Sequence, residues 1–482
     1  MEKLKISQNR RYFVTSDNKP FIWIADTAWT LPQRIKWDDV EYYMKKRKTQ
    51  GFTVLQIVAL DPERDVEMRS PVGDKALLND SLSTPNEKYF EYLDWILEKA
   101  EEYGFYVLLL PVWGQLVVGE NWMNQIFPKT VNEDNAYDYG EYIGKRYKDK
   151  KHILWCLGGD RQPIHKGIDY KNVWRRMAEG LAKGVLGKDL KYNENPEGWE
   201  ELLITYHPCF EAETGECSTM SYWDENDSWI SYIMVQSGHG ISVKNYEIIE
   251  KEYNRYKKMP VWDGEPAYEM MPTTWPVIES FHGDWIVRKR AYWSLFAGSF
   301  GHTYGHASVW CSISEREKNH FTKHSWIEAL DHSGAFQIKV LRDFMESVGV
   351  EKLKPCQEAL AEQNEKEDIL DEHIQAAFNY EDRKMYIYFP SGGTEVVYLS
   401  QFNGTDIQLW WFEPNSGNFK SEKPEELQFT ETLLVTTPTK GEGNDWICII
   451  EEKDNEKAMP VKKQEYFVDE NIEIQPEKVF EW

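Results

Sequence analysis

The chain has no long apolar run, no cysteine pair at a repeated spacing and no excess of positive charge, and each lack excludes a class of protein. The longest apolar stretches, such as Tyr106–Leu110, fall far short of the roughly 18 residues that a membrane span needs. The six cysteines, Cys156, Cys209, Cys217, Cys311, Cys356 and Cys448, are scattered without a CxxC, which leaves out a zinc ribbon and a disulfide scaffold. Lys and Arg number 56 against 81 Asp and Glu, for a net charge of −25. Nucleic acid and anionic membrane both need clustered positive charge, so neither is expected as the main partner. No GxGxxG, P-loop, HExxH or GxSxG occurs. Met1–Ile6 lacks the apolar core of a signal peptide, and the expectation from it is a cytoplasmic protein.

What is present is an apolar fraction of 41%, enough for a core, and an aromatic share of 14%. Trp and Tyr in such numbers serve packing, and they also suit a cleft that stacks on the apolar faces of sugar rings. From about Pro20 to about Trp310, short apolar runs alternate with amphipathic segments. Eight runs read as strands: Phe21–Ala28, Phe52–Leu60, Tyr106–Trp113, Ile153–Leu157, Leu202–His207, Tyr232–Gln236, Pro260–Asp263 and Gly301–Ser308. Several are apolar on consecutive residues, as strands covered on both faces should be. Asn86–Tyr103, Asn172–Lys183, Val243–Lys257, Asp284–Phe300 and Ser325–Val348 read as helices. Strand and helix alternating eight times predict an α/β fold, a (β/α)8 TIM barrel over residues 1–354. A doubly wound sheet shares the pattern but would want a glycine-rich loop after its first strand. After Pro355, short strands separated by Ser391-Gly392-Gly393, Asn403-Gly404 and Ser416-Gly417 predict a small all-β sandwich over 355–482.

Barrel enzymes carry their chemistry at the carboxyl ends of the strands. Two acids stand there behind glycines, Asp160 after Gly158-Gly159 and Glu265 after Gly264. Two carboxyls with neutral polar groups and aromatics around them are the equipment for hydrolysing a glycosidic bond. Asp263 competes with Glu265, because strand alternation points both the same way. Asp26, Trp29, Trp113, His207, Gln236, His239, Tyr304, His306 and Trp310 end the other strands and are candidate substrate contacts. No cofactor and no metal is expected; the partner is an oligosaccharide or glycoside substrate, and the oligomeric state is open.

At these residues the chain resembles the apiosidase-like family, glycoside hydrolase family 140, within the clan A barrels. The stretches that carry the resemblance are Phe21–Trp29 (FIWIADTAW), Leu154–Pro163 (LWCLGGDRQP), Pro260–Glu269 (PVWDGEPAYE) and Gly301–Trp310 (GHTYGHASVW), within roughly residues 8–350. The wider clan has Asn-Glu where this chain has Gly159-Asp160, a departure the apiosidase-like family shares. The resemblance implies Asp160 as general acid/base, Glu265 as nucleophile, retention of configuration, and apiose released from pectic glycans. The tail, through Tyr386–Gly393 and Leu409–Gly417, is similar to a small β domain that often follows this barrel and is labelled collagen-binding. A domain that buttresses the barrel is the simpler role, with Trp410 and Trp411 as a conceivable exposed sugar platform.

Three rival classes fit less well. A metal hydrolase could use His302 and His306, but the residues between them read as strand and loop rather than helix. A Ser or Cys nucleophile lacks an elbow motif or a triad context. A non-catalytic sugar-binding protein on a glycosidase fold should lack one of the two carboxyls.

Overall fold

The computed structural model describes residues 1–274, 280–361, 372–453 and 459–466; the last part of the expected second domain, 467–482, lies outside the described residues. Eight parallel strands form the first domain: β1 (Trp23–Thr27), β2 (Val54–Val58), β3 (Tyr106–Leu110), β4 (Ile153–Gly158), β5 (Ile204–His207), β6 (Ile233–Val235), β7 (Val261–Asp263) and β8 (Gly301–Tyr304). They pair in the order β6-β7-β8-β1-β2-β3-β4-β5. The ends meet where Ser231 N donates to Ile204 O (2.8 Å) and the Thr205 hydroxyl to Tyr232 O (2.6 Å). Thr219 completes that seam: its hydroxyl donates to Tyr206 O (2.6 Å) and accepts from Met234 N (2.9 Å), standing in for a ladder bond.

Helices α1 (Trp37–Thr49), α2 (Glu87–Glu102), α3 (Glu133–Tyr147), α4 (Lys171–Leu186), α5 (Asn245–Tyr253), α6 (Asp284–Phe296) and α7 (Ser333–Val348) wrap the barrel. The alternation is not complete. Between β5 and β6 the described residues carry no α-helix, only a single 3₁₀ turn at Thr219–Ser221. That stretch holds Pro208, Gly215, Asp224, Asn226 and Asp227, residues that favour turns over helix.

Alternation along each strand sorts the two cores. Trp23, Ala25, Val54, Val58, Leu108, Leu154, Cys156, Met234 and Trp262 fill the barrel interior, while Ile24, Leu55, Ile57, Val107, Trp155, Ile204, Tyr206 and Tyr304 face the helices. Phe13, on a short N-terminal ladder, closes the floor edge-on to Tyr232 (5.1 Å) and Phe300 (5.0 Å). Much of the aromatic excess is therefore core.

The second domain is an antiparallel sheet covered by a two-stranded ladder. Its strands are β9 (Leu353–Pro355), β10 (Gln375–Asn379), β11 (Lys384–Phe389), β12 (Thr394–Tyr398), β13 (Ile407–Glu413), β14 (Asn418–Phe419), β15 (Glu425–Leu427), β16 (Thr432–Thr436) and β17 (Trp446–Glu452). The sheet runs β9-β10-β11-β17-β13-β14 with β15 also on β13, and β12 pairs β16 as the second layer. One sheet face, with Tyr386, Tyr388, Trp410 and Phe412, joins the barrel's outer core at Tyr292 and Phe344. The opposite face, with Ile387, Phe389, Trp411 and Cys448, meets Val397, Leu399 and Val435. Trp410 and Trp411 are both buried, one on each side, which overturns their reading as an exposed platform. A buried ion pair locks the domains together: Arg288 donates to both oxygens of Asp445 at 2.8 and 2.6 Å.

Burial also sets how the fold responds to acid. It pushes His302 down to about 3 and His282 to about 4, and holds His306 well below its usual range. Unfolded histidine takes its proton near 6.5, so the neutral folded forms lose ground once pH falls below that value, and continue to lose it toward 4. Each such group contributes up to about 1.4 kcal/mol per pH unit in that window. Asp61, pushed up to about 7 by burial, works in the opposite sense over the same range, so the histidine contribution is read from the difference in urea midpoint slope between variants. His302 has neither ring nitrogen bonded, so His302→Phe should remove one proton's share of the slope; an unchanged slope in that variant would refute the account.

Candidate active site

The end of β4 is built by three successive left-handed residues, Gly158 (φ 86°), Gly159 (φ 113°) and Asp160 (φ 50°). Both glycines are required by space as well. A Cβ on Gly158 would stand 2.4 Å from the carbonyl oxygen of His207, and one on Gly159 would stand 2.5 Å from the Trp113 ring. An asparagine at 159, as in the wider clan, would strike that indole. The turn brings Asp160 round so that its amide donates to His207 Nδ1 (3.3 Å), while its Oδ1 accepts from Gln236 Nε2 (3.0 Å).

Glu265 follows β7 through Gly264, whose Cα hydrogens leave room for the Met234 side chain. Its carboxylate lies between two imidazoles: His207 Nε2 is 2.9 Å from Oε2, and His239 Nε2 is 3.3 Å from Oε1. His207 thus touches both acids, the backbone of one and the side chain of the other. Trp29 and Trp113 flank its ring, each with centroids 5.4 Å away, and pack on each other at 5.2 Å.

The two carboxyls are pushed apart in acidity. Burial raises Asp160; the Arg161 guanidinium opposes this and the charge of Glu265 adds to it. Burial would raise Glu265 too, but the contacts with His207 and His239 outweigh it and hold that carboxyl at about 2. At neutral pH Glu265 is anionic, and Asp160 is the group disposed to hold a proton. A nucleophile and a general acid need this division.

Of the expected residues, His207, Gln236, His239, Trp29 and Trp113 are at the two acids. Trp310 is half-buried against the inner core that includes Trp29 and Trp113. Three expected contacts are corrected. Asp26 is wholly buried on the helix-facing side of β1, where Arg47 of α1 donates to it at 2.7 Å and Tyr43 at 2.5 Å. Tyr304 also faces outward and donates to Glu269 (2.6 Å), which accepts from Gly334 N (3.2 Å) at the start of α7. His306 is fully buried and pairs with His332 at 2.9 Å. Asp263, the rival of Glu265, is tied to the Ser237 hydroxyl (2.6 Å) and to Asn245 of α5 (3.0 Å). Parity points Asp263 out to the helices, and the bend at Gly264 turns Glu265 inward.

The sequence reading misses Glu63 and Cys209. Glu63 follows β2 and is a third carboxyl, raised by burial and by the nearby charge of Asp160. Neutral amides hold it: Asn121 Nδ2 at 3.5 Å, and Gln115, whose amide in its satisfied orientation donates at 3.0 Å. The strand-end rule applied to β2 would have found it. Cys209, two residues past β5, lies 3.4 Å from Asp160 Oδ1, and nothing in its sequence context signals that.

Comparison with known proteins gives a family and a shared fold. Residues 7–352 match the family described as "Apiosidase-like, catalytic domain", and residues 355–451 match a proposed collagen-binding domain of a collagenase. The fold is shared with a solved structure titled glycoside hydrolase, at 26% identity and a TM-score of 0.79, over 95% of this chain and 98% of that one. It is shared equally with a glycoside hydrolase family 5 structure from Bacteroides vulgatus, at 25% identity and 0.79, over 96% and 97% of the two chains. A search of the curated proteins finds no match.

Proposed function

The chain belongs to the apiosidase-like glycoside hydrolases, and on that premise we propose that it cleaves a β-glycosidic bond with retention, using Glu265 as nucleophile and Asp160 as acid and base. The observation that carries this is the acidity split, with Glu265 kept anionic between two imidazoles and Asp160 raised by burial beside it. In the first step a Glu265 oxygen bonds to the anomeric carbon as the bond to the leaving oxygen breaks, and the Asp160 proton passes to that oxygen. The ester neutralises Glu265, which lowers the acidity barrier to Asp160 acting as a base. In the second step Asp160 takes a proton from water, the water oxygen bonds to the anomeric carbon, and Glu265 leaves.

The substrate we favour is a β-apioside or another β-linked sugar of a pectic glycan. His239, partly exposed beside Glu265, and Glu63 are the polar groups we assign to sugar hydroxyls. Burial and the charge of Asp160 raise Glu63, and the amides of Asn121 and Gln115 oppose this; a carboxyl in that setting can both accept from and donate to sugar hydroxyls. The test is sugar release from a panel of β-glycosides, including β-apiosides and apiose-bearing pectic fragments, followed by proton NMR in the first minutes. Retention predicts the β-anomer of the freed sugar first. The α-anomer first would exclude the double displacement, and no release across the panel would favour a protein that binds glycans without cleaving them.

A further inference from the structure

The surroundings of Asp160 carry one step more. We propose that Gln236 and Cys209 are positioning residues that decide which oxygen of Asp160 bears the catalytic proton: both donate to Oδ1, so the proton resides on Oδ2. The inference rests on Asp160 being the general acid.

Oδ1 has two donors aimed at it, Gln236 Nε2 at 3.0 Å and the Cys209 thiol at 3.4 Å. The direction of the first is not free. Gln236 Oε1 accepts from Phe210 N (2.9 Å), so the amide nitrogen must be the end that faces Asp160. The Cys209 thiol has one proton and two acceptors in reach, Asp160 Oδ1 at 3.4 Å and Phe210 O at 3.6 Å, and the carboxyl oxygen is the nearer. Gln162, two residues past Asp160, donates to the carbonyl of Cys209 at 2.6 Å, and the next residue along is the one bonded to Gln236. The segment carrying the thiol is therefore pinned from β4 on one side and β6 on the other. Burial pushes the thiol well up, and the neighbouring Asp160 adds to this, so it stays protonated and acts as a donor rather than a nucleophile.

Oδ2 is differently placed. The nearest cation, Arg161 Nη1, is 3.8 Å away, and that nitrogen donates instead to the Asp160 main-chain carbonyl at 2.5 Å. A protonated carboxyl keeps its proton on the oxygen with fewer donors and accepts on its carbonyl oxygen. Two donors on Oδ1 thus make it the carbonyl and Oδ2 the hydroxyl. The same two bonds strengthen when Asp160 ionises, which supports the anion in the second step.

Two measurements test this with Cys209→Ala, Cys209→Ser and Gln236→Leu. The first is kcat/KM on two glycosides that differ in the leaving group. Loss of one donor should cost about tenfold more with a poor alkoxide leaving group than with a nitrophenolate, because only the former needs the proton. It should also move the alkaline limb to higher pH, since a bond to the ionised form has gone. Cys209→Ser should restore both. An equal loss on both leaving groups, or an unmoved alkaline limb, would mean the residues only support the fold. The second needs no substrate: in infrared spectra differenced against Asp160→Asn, the Asp160 carbonyl stretch should rise in Cys209→Ala and return in Cys209→Ser. A band that stays put would overturn the proposal even if glycosidase activity is confirmed. A wild type that releases no sugar, together with the band shift, would refute the enzymatic reading and leave the proton placement standing.

Discussion

Glu265→Gln should reduce glycoside turnover by at least about 10³-fold, and the loss should not depend on the leaving group, since the group that attacks carbon is gone. The amide is nearly isosteric and keeps its place between His207 and His239, so substrate should still bind. Asp160→Asn should behave differently. Its loss should be severe, about 10²–10⁴-fold, with a poor leaving group and slight in kcat/KM with an activated one. It should also erase the alkaline limb of the pH profile, because burial and the Glu265 charge make Asp160 the group whose deprotonation ends activity. The nucleophile sets no matching acid limb in the accessible range, since Glu265 is anionic down to about 2. Activity lost below pH 5 should instead track unfolding, driven by His282, His302 and His306 as argued above. Stopped assays at pH 4 to 9, paired with circular dichroism at each pH, separate the two causes. Equal loss in both variants on an activated substrate would show that Asp160 and Glu265 are not divided into acid and nucleophile.

The barrel and the two acids were legible in the sequence because both follow from local signals. Apolar runs of four to eight residues mark strands buried on both faces, and an acid after a glycine at a strand end marks a turn into the cleft. What the strand-end rule leaves out is direction. Asp26 and Tyr304 end their strands as His207 and Gln236 do, yet the first two face the helices and the last two face the cleft. Parity within β1 would have said so: Trp23 and Ala25 lie in the barrel interior, so Asp26 must lie outside. For Asp160 and Glu265 parity is no guide, because glycine bends place both beyond the strand. The missing helix after β5 was hidden by an assumption of regularity that a turn-rich segment should have broken. Glu63 is within reach of the strand-end rule at β2, whereas Cys209 meets Asp160 and Gln162 from far along the chain, and no spacing encodes that meeting.

The misplacement of Asp26 leads to the second large effect, one of stability rather than catalysis. Asp26→Ala should destabilise the protein by about 3–5 kcal/mol, since it strips a fully buried guanidinium of its counter-ion. Arg47 would keep one bond to Gln50 Oε1 (2.8 Å) and the faces of Phe52 and Tyr304 at 5.0 and 5.4 Å, none of which replaces a carboxylate. Tyr43 would lose the acceptor of its hydroxyl as well. Removing both charges should cost less than removing one: Asp26→Leu with Arg47→Met trades the pair for apolar volume, and buried pairs exchanged in this way are often near neutral. Urea denaturation of the two single variants and the double gives the cycle directly. A double variant as unstable as Asp26→Ala would mean that the damage comes from packing around β1 and α1 rather than from the unpaired charge. The functional contrast is equally sharp. Because Asp26 touches Arg47 and Tyr43 and not the two acids, the folded fraction of Asp26→Ala should retain wild-type kcat/KM at low temperature. The pair stands behind β1, holding α1 to the barrel wall on which Trp29 and, through it, His207 are seated.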